Sequence, residues 1–283
     1  MKQTLRQTVA AMVIAGAAFA GPAFGEEAGA TCTISEGGLP ATLDRFIPAA
    51  HACLQAPPAG VTLRADLEAQ ALADLNAERR AAGLKPLTLR PALSEAASLH
   101  TIDMAARGYA AHVDPEGRDH LDRIRALDRT GLIGSAGGNV AILTGADADA
   151  AAASLSREGV DRDNVLRADF TDVGIGMAES GGRLFAVALF ARVDGELDSP
   201  LPVTAGRIAQ IGTDLDERMA PFAAIPQSPV SGLRLSSVDG DVLAESFGHS
   251  ISAPGAGDVY LDVAVDRGDS TLYLRGPATH AGG

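Results

Sequence analysis

Hydrophobic residues recur at helical spacing through the first half of the chain. In the stretch 64–83, Leu67, Ala71 and Leu75 lie four positions apart, and Gly83 ends the pattern. This spacing predicts a helix that buries one face and stops at the glycine. Three further stretches with similar spacing predict helices, at residues 91–108, 117–131 and 146–159.

Two apolar stretches that follow these helices have the character of strands. Residues 172–179 and 183–193 are rich in Val, Ile, Phe and Ala, and a Ser-Gly-Gly turn at 180–182 separates them. Short apolar runs on either side of a glycine turn are typical of a β-hairpin. Helices followed by an antiparallel pair predict an α+β domain over residues 61–195.

The pattern changes after residue 195. Prolines mark residues 196–228 as a linker, with one short helix expected at 217–222. Beyond it, alternating apolar and polar residues between Gly, Asp and Pro turns predict a small all-β module with a tail, residues 229–283. The strand-like stretches of this module are residues 232–247, 258–266 and 270–276.

The N-terminus has the composition of an export signal. Residues 1–25 carry Lys2 and Arg6, then an uncharged apolar stretch, then small residues that fit signal peptide cleavage. The apolar stretch is shorter than the roughly 20 residues of a membrane span. We therefore expect a periplasmic or secreted protein without a membrane span.

Charge and composition narrow the class of partner. The formal charge is −13, and removal of Lys2 and Arg6 with the signal peptide makes it two units more negative. Such acidity argues against nucleic acid and anionic membranes as partners. The chain has no Trp and few aromatic residues, which disfavours a stacking platform for sugars and slightly favours lipid or protein ligands.

Both cysteines of the sequence lie near the N-terminus. Cys32 and Cys53 fall in an N-terminal extension, residues 26–60, ahead of the first predicted helix. In an oxidising compartment we expect them to form one disulfide. A reactive thiol is disfavoured because neither cysteine has a helix start or a basic neighbour to lower its pKa.

A series of short stretches between residues 65 and 192 resembles the CAP superfamily of cysteine-rich secretory, antigen 5 and pathogenesis-related proteins, in its short bacterial form. In chain order the stretches are LNAERRAAGLKPLTL, LSEAASLHTIDMAARGYAAHVDPEG, LDRI, AGGNVA, LSREGVDRDNVLRADFTDVGIGMA and RLFAVALFA. The resemblance implies a secreted α+β domain built as a three-layer α-β-α sandwich, here followed by the all-β module.

The resemblance also implies a central cleft in which two histidines and two acidic residues can bind a divalent metal. His112 matches the first cleft histidine. Asn139 ends the family's Gly-Glu-Asn motif, but Gly138 stands at its glutamate, and Asp161 stands at the second histidine. His100 is the other histidine near these positions.

The residues at these positions make a poor metal site. A catalytic zinc centre needs about three protein ligands, and His112 with Asp161 supplies two. Asp114, Glu116 and Asp119 could offer oxygen ligands, but the stretch fits no complete calcium loop. We therefore expect no cofactor, while a zinc or calcium ion held by His112 and Asp161 remains an alternative.

Structural roles are equally open for several polar residues around the cleft. The His112 ring could bond a backbone carbonyl or Asp161, and His100 could be a half-exposed helix residue. His120 has acidic neighbours, so we expect a solvated ring with a raised pKa. The acids of the Asp114–Gly117 turn should face water, and Arg123 should anchor the loop after the second helix.

One further arginine and two glycines also have predicted structural roles. Arg162 should pair with one of the nearby acids Asp161, Asp163 and Asp169. Gly174 and Gly176 should mark a strand that packs closely against a helix.

Two functions remain after these steps. The first is an exported, non-catalytic binding protein of the cell envelope, without catalytic residues, whose ligand is a lipid, a glycan or a protein. The alternative is a hydrolase in which His112 and Asp161 act as an acid/base or metal-binding pair.

Overall fold

The structure is a computed structural model that describes residues 31–145, 147–209, 211–215, 230–253 and 255–282. The predicted signal peptide and the short helix expected at 217–222 lie outside these residues. No helix within the described ranges is both long enough and apolar enough to cross a membrane.

The described residues form helices and strands in the following order. The helices are α1 (Ile34–Gly37), α2 (Leu43–Gln55), α3 (Ala65–Ala81), α4 (Pro91–Arg107), α5 (His120–Leu127), α6 (Ala148–Ser154) and α7 (Val160–Val165). The strands are β1 (Thr62–Leu63), β2 (Thr88–Leu89), β3 (Gly131–Thr144), β4 (Asp172–Ser180), β5 (Arg183–Leu197), β6 (Arg207–Ala209), β7 (Thr213–Leu215), β8 (Val230–Ser237), β9 (Val242–Ser246), β10 (Ser250–Ser252), β11 (Gly257–Asp266) and β12 (Thr271–Ala281).

The predicted helices and the hairpin are confirmed. α3 and α4 fill most of the stretches predicted for them, and Gly108 ends α4 in the left-handed conformation with φ 72°. The 117–131 and 146–159 stretches contain the shorter helices α5 and α6. β4 and β5 pair antiparallel around a turn in which Gly181 and Gly182 both have positive φ.

The sequence pattern missed the long strand β3, although it pairs with β5 along most of its length. Gly134, Gly137 and Gly138 interrupt the apolar alternation that would predict a strand. The packing around Gly137 explains why this position is a glycine, because a Cβ there would lie 2.9 Å from the Asn164 side chain. α2 was also missed, and it contains Pro48.

The central sheet is buried on both faces, which confirms the three-layer α-β-α sandwich. Its strands run in the order β1-β4-β5-β3, with β2 and β7 at its margins. Along β5, Phe185 and Val187 belong to the core that includes α4, whereas Leu184 and Ala186 belong to the core that includes α3 and α6. Alternate side chains point to opposite faces of a strand, so helices on both sides explain why β5 is apolar from Leu184 to Ala191.

The prediction that Gly174 and Gly176 mark a close helix–strand contact is confirmed. A Cβ on Gly174 would lie 2.0 Å from the backbone carbon of Leu93, and one on Gly176 would lie 2.2 Å from the backbone nitrogen of Ser98. Both contacts are to α4, so glycine lets this helix approach β4 closely.

The C-terminal strands form a sheet of their own. Its order is β12-β11-β8-β9, and β6 and β10 form a separate two-stranded pair. This confirms the strand-rich C-terminal region. The division at 61–195, 196–228 and 229–283 stays a prediction, and β6 and β7 lie within the range predicted as linker.

The C-terminal sheet packs against the N-terminal part of the chain. Tyr260 and Ala278 are buried in the same core as Phe46 of α2. The Leu43 backbone N–H donates to Asp258 at 2.9 Å. The sheet therefore rests on the residues that precede the sandwich as well as on the sandwich itself.

The N-terminal segment, residues 31–60, is called here the arm. A disulfide joins Cys32 to Cys53, as expected from the sequence. Ile34 and Phe46 of the arm are buried in the core that α4 shares. The arm is thus an integral layer over α4.

Candidate functional site

The histidine that matches the first cleft position lies at the protein surface. His112 follows α4 in a loop and is exposed, and its backbone carbonyl accepts a hydrogen bond from Arg123 at 2.8 Å. Arg123 also donates to the Arg118 carbonyl at 2.7 Å. Arg123 therefore anchors this loop, as predicted. Within the described residues the His112 ring has no hydrogen bond to a carbonyl or to Asp161.

Asn139 has a structural role in the middle of β3. Its side chain is fully buried and donates to the carbonyls of Leu155 and Asp161 at 2.8 and 2.7 Å. Its amide oxygen accepts from Asn164 at 2.8 Å. The two asparagines thus hold the α6–α7 connection against the sheet and place Asp161.

The Asp161 carboxylate pairs with a residue close to it in the sequence. Its nearest cation is Arg157, one helical turn earlier, at 3.4 Å. The prediction that Arg162 pairs with Asp161, Asp163 or Asp169 is wrong, because its guanidinium lies 4.0 Å from Glu78 of α3. The fold brings α3 beside α7, and sequence proximity did not reveal this neighbour.

His120 occupies the side of β3 where Gly138 has no side chain. A Cβ on Gly138 would lie 3.6 Å from Cγ of His120 and 3.3 Å from Leu189. Burial lowers the pKa of His120, and the opposing effect of Asp119 is weaker. The expectation of a solvated His120 with a raised pKa is therefore wrong, because α5 packs its first residue against the sheet.

His100 is buried, which corrects the expectation of a half-exposed residue. Only 1% of it is exposed, and its Nε2 donates to the Ala111 carbonyl at 2.7 Å. Burial lowers its pKa to about 3, and the charge of Arg123 acts in the same direction. His100 thus supports the loop that carries His112, and its ring does not line an open cleft. The apolar spacing of α4 could have placed His100 on the buried side.

Of the two acids in the turn after His112, Glu116 is exposed as predicted, whereas Asp114 is buried, contrary to prediction. Asp114 is 5% exposed and pairs with Arg118 at 2.9 Å. Glu116 pairs with Arg107 at 2.6 Å, and the same arginine holds Asp103 of α4. Neutralisation by arginine lets these carboxylates lie close together in a partly dry site.

These three carboxylates are the one group in the described ranges that brings three potential ligand atoms within 4.8 Å of one another. The group contains neither His112 nor Asp161. Its members are Asp103, Asp114 and Glu116, and each is paired with arginine. At the family's cleft positions the chain offers one exposed imidazole, one carboxylate and a glycine. This donor set does not fit a zinc site with three protein ligands.

Comparison with known proteins bears out the resemblance found in the sequence. Residues 72–190 match the model of the cysteine-rich secretory protein family, CAP. An uncharacterized protein of Bacillus subtilis, YkwD, is 33% identical over 106 residues, which are 38% of this chain and 40% of that protein. The chain thus matches less than half the length of this curated relative.

Two solved structures are also similar. An extracellular protein containing an SCP domain from Bacillus anthracis is 22% identical, with a TM-score of 0.41, over 54% of this chain and 44% of that one. An outer surface protein of Borrelia burgdorferi is 12% identical, with a TM-score of 0.40, over 47% of this chain and 98% of that one.

Proposed function

Because residues 72–190 are a CAP domain of the cysteine-rich secretory protein family, we propose that this protein is an exported, non-catalytic binding protein of the cell envelope. Its ligand is a lipid, a glycan or another protein, with lipid or protein favoured by the lack of Trp. Residues 1–25 direct it to the periplasm or the exterior, where the Cys32–Cys53 disulfide persists.

The observation that carries this proposal is the side chain that packs at Gly138. The family places a glutamate at this position, and here the His120 ring and Leu189 lie within 3.6 Å of the point where a Cβ would stand. The cleft therefore lacks the acid that the family has at position 138, and the nearest ring is that of His120, whose burial lowers its pKa and disfavours its charged form.

The remaining cleft positions support the same conclusion. His112 is exposed to solvent and Asp161 has Arg157 beside its carboxylate. A general base needs a fixed hydrogen-bond geometry to the group it serves. Among the described residues no group bonds to the solvated His112 ring to orient it, so it is a weak candidate for that role.

Metal binding tests the proposal. Zinc and calcium are titrated into the exported form, residues 26–283, by calorimetry, with metal analysis of the purified protein. We expect no stoichiometric uptake in the wild type, and no change in His112→Ala. His51→Ala is the matched control, because His51 is an exposed histidine on α2.

Stoichiometric uptake that is lost in His112→Ala but retained in His51→Ala would contradict the proposal. So would hydrolysis of ester or peptide substrates that both His112→Ala and Asp161→Asn abolish. That second outcome would establish the hydrolase alternative.

A further inference from the structure

A pocket of about 260 Å³ opens where the arm, the α5 side of the sandwich and the C-terminal sheet meet. It is called here the junction pocket. Each of the three parts contributes to its wall, and the residues that matter most are Leu43, Phe46, Asp122, Ala126, Asp258 and Tyr260. Pockets at the interface of structural units are frequent ligand sites.

The interior wall of the junction pocket is apolar. Phe46, Ala126 and Val259 are at most 6% exposed, and the Tyr260 ring is buried beside them. At the mouth, Val238 leaves 59% of its surface in water. An apolar wall of this kind favours an occupant with a small hydrocarbon group, since burial of apolar surface is worth about 25 cal/mol per Å².

Two carboxylates in the wall have no arginine or lysine partner within 4.0 Å among the described residues. Asp122 accepts hydrogen bonds from the Asp119 backbone and from the Tyr260 hydroxyl, at 3.0 and 3.1 Å. Asp258 accepts from the Leu43 backbone at 2.9 Å and contacts His280 at 2.7 Å. A carboxylate has about four acceptor positions, so each of these groups can accept a further donor.

The arginine in the wall of the pocket, Arg118, already has partners within the protein. Arg118 pairs with Asp114 at 2.9 Å and Glu116 at 3.3 Å, and it donates to two carbonyls of the arm. Its guanidinium also lies over the Phe46 ring, 5.1 Å from the centroid. Four of its five N–H donors are therefore used within the protein, which disfavours an anionic occupant.

The electrostatic balance of the wall is negative. Among the lining residues, Glu116 and Arg118 offset each other, which leaves the carboxylates of Asp122 and Asp258. The His280 ring, which does not line the pocket, contacts one oxygen of Asp258 and leaves its second oxygen to the Leu43 N–H and an occupant. Arg125 and Arg275 lie over the Tyr260 ring at 5.4 and 5.2 Å, but neither lines the pocket. The occupant that complements this wall is thus cationic at one end and apolar at the other.

We propose that the junction pocket binds a small primary amine that carries an aryl or short alkyl group. The ammonium donates to Asp122 and Asp258, and the hydrocarbon part packs on Phe46, Ala126 and Tyr260. The volume lies just below the roughly 300–1,000 Å³ of typical ligand pockets, which restricts the occupant to a small molecule. This site goes beyond the proposed function and does not involve the cleft.

The test measures binding of phenethylammonium to residues 26–283 by calorimetry at low salt. The neutral 3-phenylpropanol and the anionic 3-phenylpropionate are the comparison probes. We expect saturable binding of the ammonium at least about tenfold tighter than either analogue, because charge-assisted hydrogen bonds are about twice as strong as neutral ones. Asp258→Asn and Asp122→Asn should each weaken it by about tenfold or more.

Asp269→Asn is the matched control, because Asp269 is an exposed carboxylate of the same C-terminal sheet region. It removes the same charge and should leave binding unchanged. If the carboxylate variants fail to fold, Ala41→Phe fills the pocket from its exposed rim and should abolish binding while every carboxylate is retained.

Three outcomes would overturn the proposal: no saturable binding of phenethylammonium, equal binding of the three probes, or binding that survives Ala41→Phe. His112→Ala should bind phenethylammonium as the wild type does. The proposal for the junction pocket and the proposed function of the cleft can therefore be contradicted independently of each other.

Discussion

His100 and His112 belong to the same stretch of chain but differ in their exposure to solvent. The His100 ring is buried in α4 and bonded to the Ala111 carbonyl, whereas His112 is exposed in the next loop. Burial penalises the charged imidazole and lowers the pKa of His100 to about 3. The buried histidine thus contributes to the pH dependence of stability, although it matches neither cleft histidine.

We predict that stability falls as the pH is lowered from 7.5 to 5. The unfolded state binds a proton at His100 near pH 6.5, whereas the folded state keeps this ring neutral down to about pH 3. The unfolded state therefore binds more protons in this range, and the free energy of unfolding should drop by about 2 kcal/mol. Urea unfolding at several pH values measures it.

His100→Gln should have a flatter pH profile than the wild type by about that amount. His112→Gln is the control, because it makes the same substitution at an exposed ring and leaves the buried ring of His100 in place. Identical slopes in His100→Gln and the wild type would refute the assignment to His100.

At the scale of elements, the distance between α4 and β4 depends on glycine. The Cβ of any other residue at position 174 would meet the backbone of Leu93, and at position 176 the backbone of Ser98. A backbone contact cannot be relieved by a side-chain rotation, so α4 itself would have to move. α4 also carries His100 and Asp103, which support the loop of His112.

We predict that Gly174→Ala lowers the free energy of unfolding by about 2–3 kcal/mol or more, as overpacking does. Urea unfolding measures the change. Gly37→Ala serves as the control, because a Cβ at Gly37 has no neighbour within 4 Å and should change stability by less than about 0.5 kcal/mol. Equal effects of the two substitutions would show that the α4–β4 contact is not close in solution.

The strands illustrate how far the sequence alone predicts the fold. The β4–β5 hairpin was found because its apolar runs are continuous and its turn is Ser180-Gly181-Gly182. β3 was missed because its glycines are required by neighbours distant in sequence, such as Asn164 beside Gly137. Local periodicity reflects the burial of side chains. A strand whose glycines place its backbone directly against other parts of the protein therefore gives only a weak periodic pattern.

At the scale of the whole molecule, the arm links the sandwich to the C-terminal sheet. Phe46 shares a core with α4 and with Tyr260, and Asp258 accepts from the Leu43 backbone. Burial raises the pKa of Tyr260, so its hydroxyl stays protonated and donates to Asp122. The disulfide between Cys32 and Cys53 closes the arm on itself.

We predict that replacing both cysteines by alanine lowers the free energy of unfolding by about 3 kcal/mol, because the disulfide restricts a short loop of the unfolded chain. Thermal unfolding with and without a reductant measures the change. In reductant, the stability of the wild type should approach that of the variant. The stability of the variant should not change when reductant is added. A reductant effect that persists in the variant would mean that another group causes it.

The sequence by itself determined the helices α3 and α4, the β4–β5 hairpin, the cysteine pair and the family positions of the cleft. These features depend on local periodicity, turn residues and the order of short motifs. The tertiary structure alone decided that His100 is buried, that His120 packs at Gly138 and that arginines neutralise the acids after His112. It also decided that three parts of the chain form one pocket. Burial and ion pairing depend on residues far apart in sequence, so the same histidine or aspartate can be solvated or enclosed until the chain is folded.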